Sequence, residues 1–184
     1  MERQAIPLNE LHLPVFAAWE PGWFLLTAGE NKPGGFNSMT VSWGALGVMW
    51  HRPLLMVVVR PHRYTREFME RFDTFSLCAF DQAHRAALEL LGTRSGRDTQ
   101  KMAECGLTPI TLSSIACPGF SEAKLILECR KVYFDDLEPA HFLADFIAPN
   151  YQGDYHRIYF GEVLAAEGTA EFRRPSASSA KGCL

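Results

Sequence analysis

In LLMVVVR, residues Leu54–Arg60, six apolar side chains, three of them from valine, follow one another without a break, and this is the clearest strand pattern in the sequence. A short β-branched run of this kind is typical of a β-strand rather than a helix. We therefore predict a strand here and expect it to be buried on both faces. The apolar run from Pro53 to Val59 is far too short to cross a bilayer as a helix.

The segments on either side predict more strands and a few short helices. The other predicted strands are Gly22–Ala28, Ser38–Met49, Thr74–Phe80, Ala123–Phe134 and Arg157–Ala166. The predicted helices are Thr65–Phe72, His84–Leu91, Thr99–Glu104 and Pro139–Phe146. Because the strands do not alternate regularly with long helices, this order favours an antiparallel β-barrel with α-helical decorations over a doubly wound parallel sheet.

Two of these strands carry further detail. Ser38–Met49 is expected to be irregular near Gly44 and Gly47, because glycine inside a strand often marks a bulge. In Ala123–Phe134 the side chains alternate, so Leu125, Leu127 and Cys129 are expected on one face with Lys131. The opposite face of that strand is expected to carry Ile126, Glu128 and Arg130.

Composition argues against several classes of protein. The 184 residues carry a net charge of −3, which gives no support for a general nucleic-acid binder. The five cysteines include no CxxC pair, so we expect neither a disulfide framework nor a zinc site, and we predict that Cys78 and Cys129 are core thiols. No apolar leader stands at the N-terminus, so we expect a cytoplasmic protein that is not bound to a membrane.

The segment NSMTVSWG, residues 37–44, follows the Gly-rich loop Glu30–Phe36 and concentrates hydrogen-bonding side chains beside Met39 and Trp43. A flavin needs donors and acceptors at the edge of its isoalloxazine ring and apolar cover on the faces of that ring. The segment therefore fits a flavin seat. On the residues alone, a polar strand end next to a loop is the simpler interpretation.

The segment RPHRYT, residues 60–65, connects the strand Leu54–Arg60 to a predicted helix. The first turn of a helix offers free N–H groups to an anion, and Arg60 and Arg63 would add guanidinium groups that can bind a phosphate. A phosphate site is one interpretation. The alternative is a solvated basic turn in which Thr65 only caps the helix.

Two later segments hold further candidates. In SGRDTQK, residues 95–101, Arg97 or Lys101 could approach an anion, although a solvated loop with a helix capped at Asp98 is the simpler interpretation. In GDYHR, residues 153–157, His156 could donate to a flavin, stack on a nicotinamide or move a proton. The six histidines lack metal-ligand spacing and no GxSxG or HExxH occurs, so we expect no metal site and no hydrolase.

Taken in order, NSMTVSWG, RPHRYT, SGRDTQKM (residues 95–102) and GDYHRIYFGEV (residues 153–163) resemble the flavin reductase-like family of FMN-binding split barrels, in particular its flavoredoxin-type branch. The resemblance implies a six-stranded antiparallel Greek-key split β-barrel with added helices, formed by residues 20–174. An N-terminal arm, residues 1–19, would precede the barrel, and a flexible tail, residues 175–184, would follow it. The resemblance also implies a homodimer with flavin mononucleotide (FMN) near the subunit interface.

The family pattern assigns roles to individual residues. By this resemblance the isoalloxazine and ribityl parts of FMN would lie against Asn37, Ser38, Met39, Thr40, Val41, Ser42 and Trp43. The phosphate would be held by Arg60, Arg63, Tyr64 and Thr65, with Arg97 and Lys101 reaching the FMN from their loop. His156 matches a position near the nicotinamide in relatives with a Gly-Asp-His signature, but here Tyr155 intervenes between Asp154 and His156.

The implied activity is an oxidoreductase that transfers electrons from NADH or NADPH through FMN to an acceptor. A chain without GxGxxG would bind the nicotinamide without a Rossmann unit. An alternative is a flavoredoxin-like electron carrier that receives electrons from a protein partner. A third is a flavin-binding or structural barrel that has no redox activity.

Overall fold

An antiparallel β-sheet forms most of the protein, and the computed structural model describes residues 2–175. The strands of the protein are β1 Gln4–Ala5, β2 Phe24–Gly29, β3 Phe36–Val41, β4 Gly44–Met49, β5 Arg52–Val59, β6 Thr74–Ala79, β7 Pro109–Ile110, β8 Gly119–Phe120, β9 Leu125–Asp136 and β10 Arg157–Gly168, of which β7 and β8 pair in a separate two-stranded sheet. Its α-helices are α1 Val15–Ala17, α2 Tyr64–Arg71, α3 Arg85–Thr93 and α4 Lys101–Glu104. The predicted tail lies outside the described residues apart from Pro175, and so does Cys183.

The order of the strands makes the sheet curl into a barrel. Seven strands lie in the order β3-β2-β6-β9-β10-β5-β4, and β1 adds an eighth by pairing with β10. The two outermost strands, β3 and β4, follow each other in the chain with only Ser42 and Trp43 between them. Three Cα–Cα steps span at most roughly 11 Å, so the two edges must come together. Within residues 2–175 no ladder joins β3 to β4, and the barrel stays split at this seam.

The antiparallel barrel with helical decorations is confirmed, but the sheet has eight strands instead of six. The predicted strand Ser38–Met49 is in fact two strands, and β1 supplies the other addition. The break is fixed at Gly44, where a Cβ atom would lie 2.2 Å from the Trp19 ring and 2.5 Å from the carbonyl oxygen of Met56. Only glycine allows the chain to start β4 this close to the core.

The prediction that Leu54–Arg60 is buried on both faces is wrong. Leu55, Val57 and Val59 are fully buried, whereas Met56 and Val58 are half-buried. The barrel closes around one face of β5 only, and the other face looks outward. One side of this apolar run therefore remains available for a ligand or a second protein surface.

Three of the four predicted helices are present as α2, α3 and α4. The helix predicted at Pro139–Phe146 is wrong, because only Pro139–His141 forms a short 3-10 turn. Phe142 leaves the helical conformation, and its ring packs 5.9 Å from that of Tyr151 and 5.6 Å from that of Tyr155. Aromatic packing across the loop replaces the hydrogen bonds that would continue the helix.

Two apolar cores lie on opposite faces of the sheet. Leu125, Leu127 and Cys129 of β9 point into the barrel, as the alternation predicts. Ile126 points to the other side, where it packs with Leu88 and Leu91 of α3 in the second core. Because residues 125–129 of β9 are buried, with apolar cores on both faces, this half of the strand holds the barrel and the helical layer together.

Cys78 and Cys129 are fully buried free thiols, as predicted. Burial raises the pKa of the Cys78 thiol to about 12, so it is not a thiolate at neutral pH. Residues 2–175 contain no cluster of side chains that could hold a metal ion. In the same range, no helix combines the length and the apolar character needed to cross a membrane.

A charged clamp connects α2 to the ends of β9 and β10. Arg157 donates to both carboxylate oxygens of Asp136, at 2.7 and 2.6 Å, and to Glu70 at 3.1 Å. Glu70 also accepts a hydrogen bond from the buried Tyr159. Hydrogen bonds from Arg157 hold the pKa of Asp136 below its ordinary value. Because α2 begins at the turn Arg60–Thr65, this clamp also positions that turn.

Replacing Arg157 with methionine should lower the free energy of unfolding at neutral pH by about 1–2 kcal/mol, because Asp136 and Glu70 lose charged hydrogen bonds. Asp136 has a depressed pKa in the folded protein, so its contribution is present above the pKa of the unfolded carboxyl group and is lost as the pH falls through the folded value. The wild type should therefore lose more stability than the variant between neutral pH and about pH 3. Urea unfolding at both pH values measures this difference.

Arg52→Met is the matched control, because its side chain is 70% exposed and lies 3.7 Å from Glu162. It should change the free energy of unfolding by less than about 0.5 kcal/mol. Equal losses in the two variants, or parallel pH curves for Arg157→Met and the wild type, would contradict the assigned role of the clamp.

Candidate functional site

A cavity of about 330 Å³ opens where the seam between β3 and β4 meets the end of β5. Its volume falls in the range of roughly 300–1,000 Å³ that is usual for small-molecule sites. The residues that line it are Met39, Thr40, Val41, Ser42, Trp43, Val58, Arg60, His62, Arg63 and His156. The structure thus brings three of the four segments singled out in the sequence to one place.

One wall of the cavity is the end of β3 and the link to β4. Met39 and Val41 are buried, whereas the side chain of Trp43 is 41% exposed at the rim. Because β3 is an outermost strand of the sheet, backbone groups on its free edge are available as hydrogen-bond donors and acceptors. The hydroxyl of Thr40 is already engaged with the carbonyl oxygen of Leu88 at 2.5 Å.

The opposite wall is basic. Arg63 is half-buried, and within residues 2–175 it forms no ion pair with a carboxylate; its guanidinium donates to the carbonyl oxygen of Gly92 at 2.6 Å. Burial, and after it the charge of Arg60, lowers the pKa of Arg63. Arg63 also stands immediately before α2, whose first N–H groups have no partner inside the helix. Positive charge and free N–H groups therefore coincide here.

Arg60 holds the loop between β9 and β10 against the cavity. Its guanidinium donates to Asp154 at 2.6 Å and to the carbonyl oxygen of Asn150 at 2.8 Å, and it lies 5.3 Å from the centre of the Tyr151 ring. The backbone N–H of Gln152 and the charge of Arg60 lower the pKa of Asp154 to about 2. The ion pair is therefore intact at neutral pH.

His156 closes the third side and is only 7% exposed. Its Nδ1 lies 2.9 Å from the hydroxyl of Tyr151, and its ring centre lies 5.3 Å from that of Trp43. Burial, followed by the charge of Arg60, lowers the pKa of His156 to about 4. His156 is consequently neutral at physiological pH, so it can form hydrogen bonds in the cavity without adding charge.

Several predicted site residues lie behind the cavity rather than in its lining. The Nδ2 atom of the buried Asn37 donates to the hydroxyl of Thr65 at 2.6 Å. The hydroxyl of Ser38 lies 2.7 Å from that of Thr27 inside the sheet. These contacts connect β3 to α2 and to β2, so they fix the position of the wall that carries Met39.

Tyr64 and Lys101 lie around a second cavity, and Arg97 lies next to Tyr64. Tyr64, Asn37 and Lys101 line this space of about 500 Å³. Lys101 is 3% exposed and donates to the carbonyl oxygens of Leu91 and Arg94 at 3.2 and 3.1 Å.

Burial and the charge of Arg63 lower the pKa of Lys101 to about 8. Arg97 pairs with Glu67, and its guanidinium lies 5.0 Å from the centre of the Tyr64 ring. A cofactor contact by Arg97 or Lys101 stays a prediction.

Two residues in the cavity lining were not among the sequence candidates. His62 lies inside the quoted segment RPHRYT, so its place in the chain already gave a signal. Val58 precedes Arg60 by two residues and points outward from β5. Because both faces of that strand were predicted to be buried, Val58 was expected in the core and not in a cavity. Tyr151, which supports His156 from behind, belongs to an irregular loop in which no periodicity marks it.

The protein is a split antiparallel barrel with a cavity at its seam. Comparison with known families agrees with this fold. The family described as the flavin reductase like domain matches residues 20–176. The chain belongs to this family, so the resemblance stated from the sequence is confirmed. Among proteins of curated function, no match to the sequence was found.

Solved structures share the fold over most of the chain. An FMN-binding domain of a flavin reductases-like enzyme from Shewanella baltica is 21% identical at a TM-score of 0.65, over 91% of this chain and 77% of that one. Flavoredoxin from Methanosarcina acetivorans is 22% identical at 0.63, over 94% and 78% of the two chains. Flavoredoxin of Desulfovibrio vulgaris is 17% identical at 0.64, over 97% and 85%. These similarities support the split-barrel fold.

Proposed function

We propose that this protein binds FMN in the cavity at the β3–β4 seam and acts as an oxidoreductase with NADH or NADPH as electron donor. The observation that carries the proposal is the half-buried charge of Arg63, which has no carboxylate partner within residues 2–175 and stands at the start of α2. A phosphate monoester supplies the negative charge that a guanidinium and a helix N-terminus both favour.

The remaining lining fits the other parts of FMN. Trp43, Met39 and Val58 offer apolar surface to an aromatic ring system, and the free edge of β3 offers backbone groups to its polar edge. Arg60 has its charge balanced by Asp154, so Arg63 contributes the surplus positive charge. We therefore assign the phosphate chiefly to Arg63 and the first turn of α2, and the ring to the wall Met39–Trp43.

The residues behind the cavity have a supporting role in this proposal. The bond between Asn37 and Thr65 keeps β3 in a fixed position relative to α2, and so keeps the ring wall at a fixed distance from the phosphate end. Lys101 holds the last carbonyls of α3, the same helix end to which Arg63 donates through Gly92. Loss of either contact would shift Arg63 without removing it.

When bound, FMN supplies the redox chemistry, since it can take a hydride from a reduced nicotinamide and pass electrons to an acceptor. The residues of this chain bind and orient it. His156 is neutral and hydrogen-bonds without altering the charge of the site. Cys78, Cys117 and Cys129 are fully buried in the cores, away from the cavity lining, and play no part as nucleophiles.

A flavoredoxin-like electron carrier is the second candidate, and one observation favours it. Trp43 is 41% exposed at the rim of the cavity, so one side of the site faces outward where a protein partner could approach. A carrier would bind FMN in the same way but would receive its electrons from that partner. A barrel without redox activity is the third candidate.

One preparation separates the proposed enzyme from the other candidates. We expect the purified protein to be yellow, or to become so when FMN is added, and to be bleached by NADH or NADPH without oxygen. Colour that neither nucleotide bleaches would favour the carrier. A protein that remains colourless with added FMN would overturn the cofactor assignment.

Arg63→Ala should weaken FMN binding roughly tenfold to a hundredfold, because a charged hydrogen bond to the phosphate is lost. Riboflavin, which lacks the phosphate, should bind both proteins with similar affinity. Quenching of flavin fluorescence during titration measures both dissociation constants.

Arg71→Ala is the matched control, since it removes the same charge from the exposed far end of α2. It should leave the FMN affinity unchanged within about twofold. An equal effect of the two substitutions, or an equal effect of Arg63→Ala on riboflavin, would refute the phosphate contact.

We also infer a homodimer, from an apolar row on the outer face of the sheet. Ala45, Met56, Phe160 and Tyr133 stand opposite one another across β4, β5, β10 and β9. Tyr133 is 45% exposed, and its ring centre lies 5.7 Å from that of Phe160. The next row includes Val58, which lines the cavity, so a second copy seated on this face would cover the flavin site.

Tyr133→Glu should shift the protein towards the monomer by at least a hundredfold in dissociation constant, because it buries an unpaired charge between the subunits. Sedimentation equilibrium measures the dissociation constant. Leu143→Glu is the control, since Leu143 is an apolar side chain that is 97% exposed and lies off the sheet. A monomeric wild type, or equal dimerisation of all three proteins, would exclude this interface.

A further inference from the structure

The loop between β9 and β10 is anchored beside the cavity by Arg60, whose own side chain lines that cavity. Arg60 binds the carbonyl oxygen of Asn150, directly before Tyr151, and the carboxylate of Asp154, three residues after it. The same guanidinium lies over the Tyr151 ring. Phe142 and Tyr155 pack against that ring, at 5.9 and 5.1 Å between ring centres. Tyr151 is therefore fixed on several sides.

The fixed hydroxyl of Tyr151 has one partner among the residues that the structure describes, which is Nδ1 of His156 at 2.9 Å. A neutral imidazole carries its proton on one nitrogen and accepts on the other. If Nδ1 carried the proton, the phenol hydrogen would have no acceptor within residues 2–175. A phenol is a stronger hydrogen-bond donor than a neutral imidazole N–H, and an imidazole nitrogen is a stronger acceptor than a phenol oxygen. The contact therefore favours a phenol that donates to Nδ1.

We infer that the other ring nitrogen of His156, Nε2, is open to the cavity. Nε2 makes no hydrogen bond within residues 2–175. In the same range, the only side-chain N or O atoms that are both buried from solvent and without a hydrogen bond are Arg3 Nε and Trp19 Nε1, so Nε2 is not buried from solvent. His156 is itself part of the cavity lining. Whatever hydrogen-bonding character Nε2 has is therefore presented to a ligand.

We propose that Tyr151 is a positioning residue, whose hydroxyl donates to Nδ1 of His156 and so fixes the tautomer with the proton on Nε2. His156 then presents a neutral N–H donor to the cavity. Such a group binds an oxygen acceptor, such as the carboxamide oxygen of a nicotinamide, and it does not act as a base. This inference rests on the proposed function only for the identity of the ligand, because the tautomer is a property of the protein alone.

The tautomer can be measured without a ligand. In wild-type protein labelled with ¹⁵N-histidine, we expect the His156 signals to show a protonated Nε2 and an unprotonated Nδ1 at neutral pH. His156→Gln identifies the signals among the six histidines. Wild-type protein with the proton on Nδ1 would overturn the proposal, and this arm needs no variant of Tyr151.

Tyr151→Phe keeps the ring and removes the hydroxyl, so it should give a mixture of the two tautomers. Tyr155→Phe is the matched control: it removes a hydroxyl from the same aromatic cluster, and within residues 2–175 that hydroxyl has no hydrogen bond to His156. It should leave the His156 signals unchanged. A change of equal size in both variants would show a general packing effect and would overturn the specific role of Tyr151.

Turnover with NADH and NADPH tests the consequence for the FMN-loaded protein. Tyr151→Phe should lower kcat/KM roughly tenfold, the effect of one hydrogen bond, while its FMN affinity and melting temperature match those of Tyr155→Phe. Unchanged kcat/KM beside an altered tautomer would overturn the role of His156 as a donor to the nicotinamide. Wild-type protein that shows the Nε2–H tautomer but no turnover would count against the proposed enzyme and leave the Tyr151 assignment supported.

Discussion

The two-residue link Ser42–Trp43 joins the opposite edges of the sheet, and it determines where the barrel closes and where the cavity forms. β3 and β4 lie at the two ends of the strand order, yet the chain passes directly from one to the other. The sheet must therefore curl until its edges meet, and Gly44 allows this by bringing β4 against Trp19. The cavity lies at this junction because it is the place where the wall of the barrel is connected by the chain but not by a ladder.

Arg60 and Arg63, which follow β5, have different partners and therefore different roles in the site. Arg60 is neutralised by Asp154 and holds the loop that carries Tyr151 and His156. Among the residues that the structure describes, Arg63 binds only a carbonyl oxygen at the end of α3, so its charge remains available to the cavity. The family resemblance gives both arginines to the phosphate. Their partners favour a division in which Arg60 organises the site and Arg63 contacts the ligand.

The sequence predicted what depends on neighbours in the chain. The strands, the helices α2 and α3 and the alternation of β9 follow from local periodicity. The prediction for Leu54–Arg60 was wrong because closure of the barrel determines which face of this strand is covered, and the residues of the strand itself do not indicate that face. The carbonyls bound by Lys101 and the loop that carries Tyr151 belong to separate elements, so sequence spacing could not reveal either contact. The segments NSMTVSWG and RPHRYT were informative because each one supplies a whole wall of the cavity.

The split in the barrel is itself required by the proposed site. A closed ladder between β3 and β4 would use the backbone groups of the β3 edge and fill the space in front of Val58. Without this ladder, the barrel lacks the stability of one more strand pairing. It keeps a row of unpaired hydrogen-bonding groups next to an apolar surface. An exposed strand edge invites aggregation unless it is covered. Bound flavin and a second subunit on the outer face of β5 and β10 would together cover this seam, so cofactor binding and dimerisation are expected to stabilise each other.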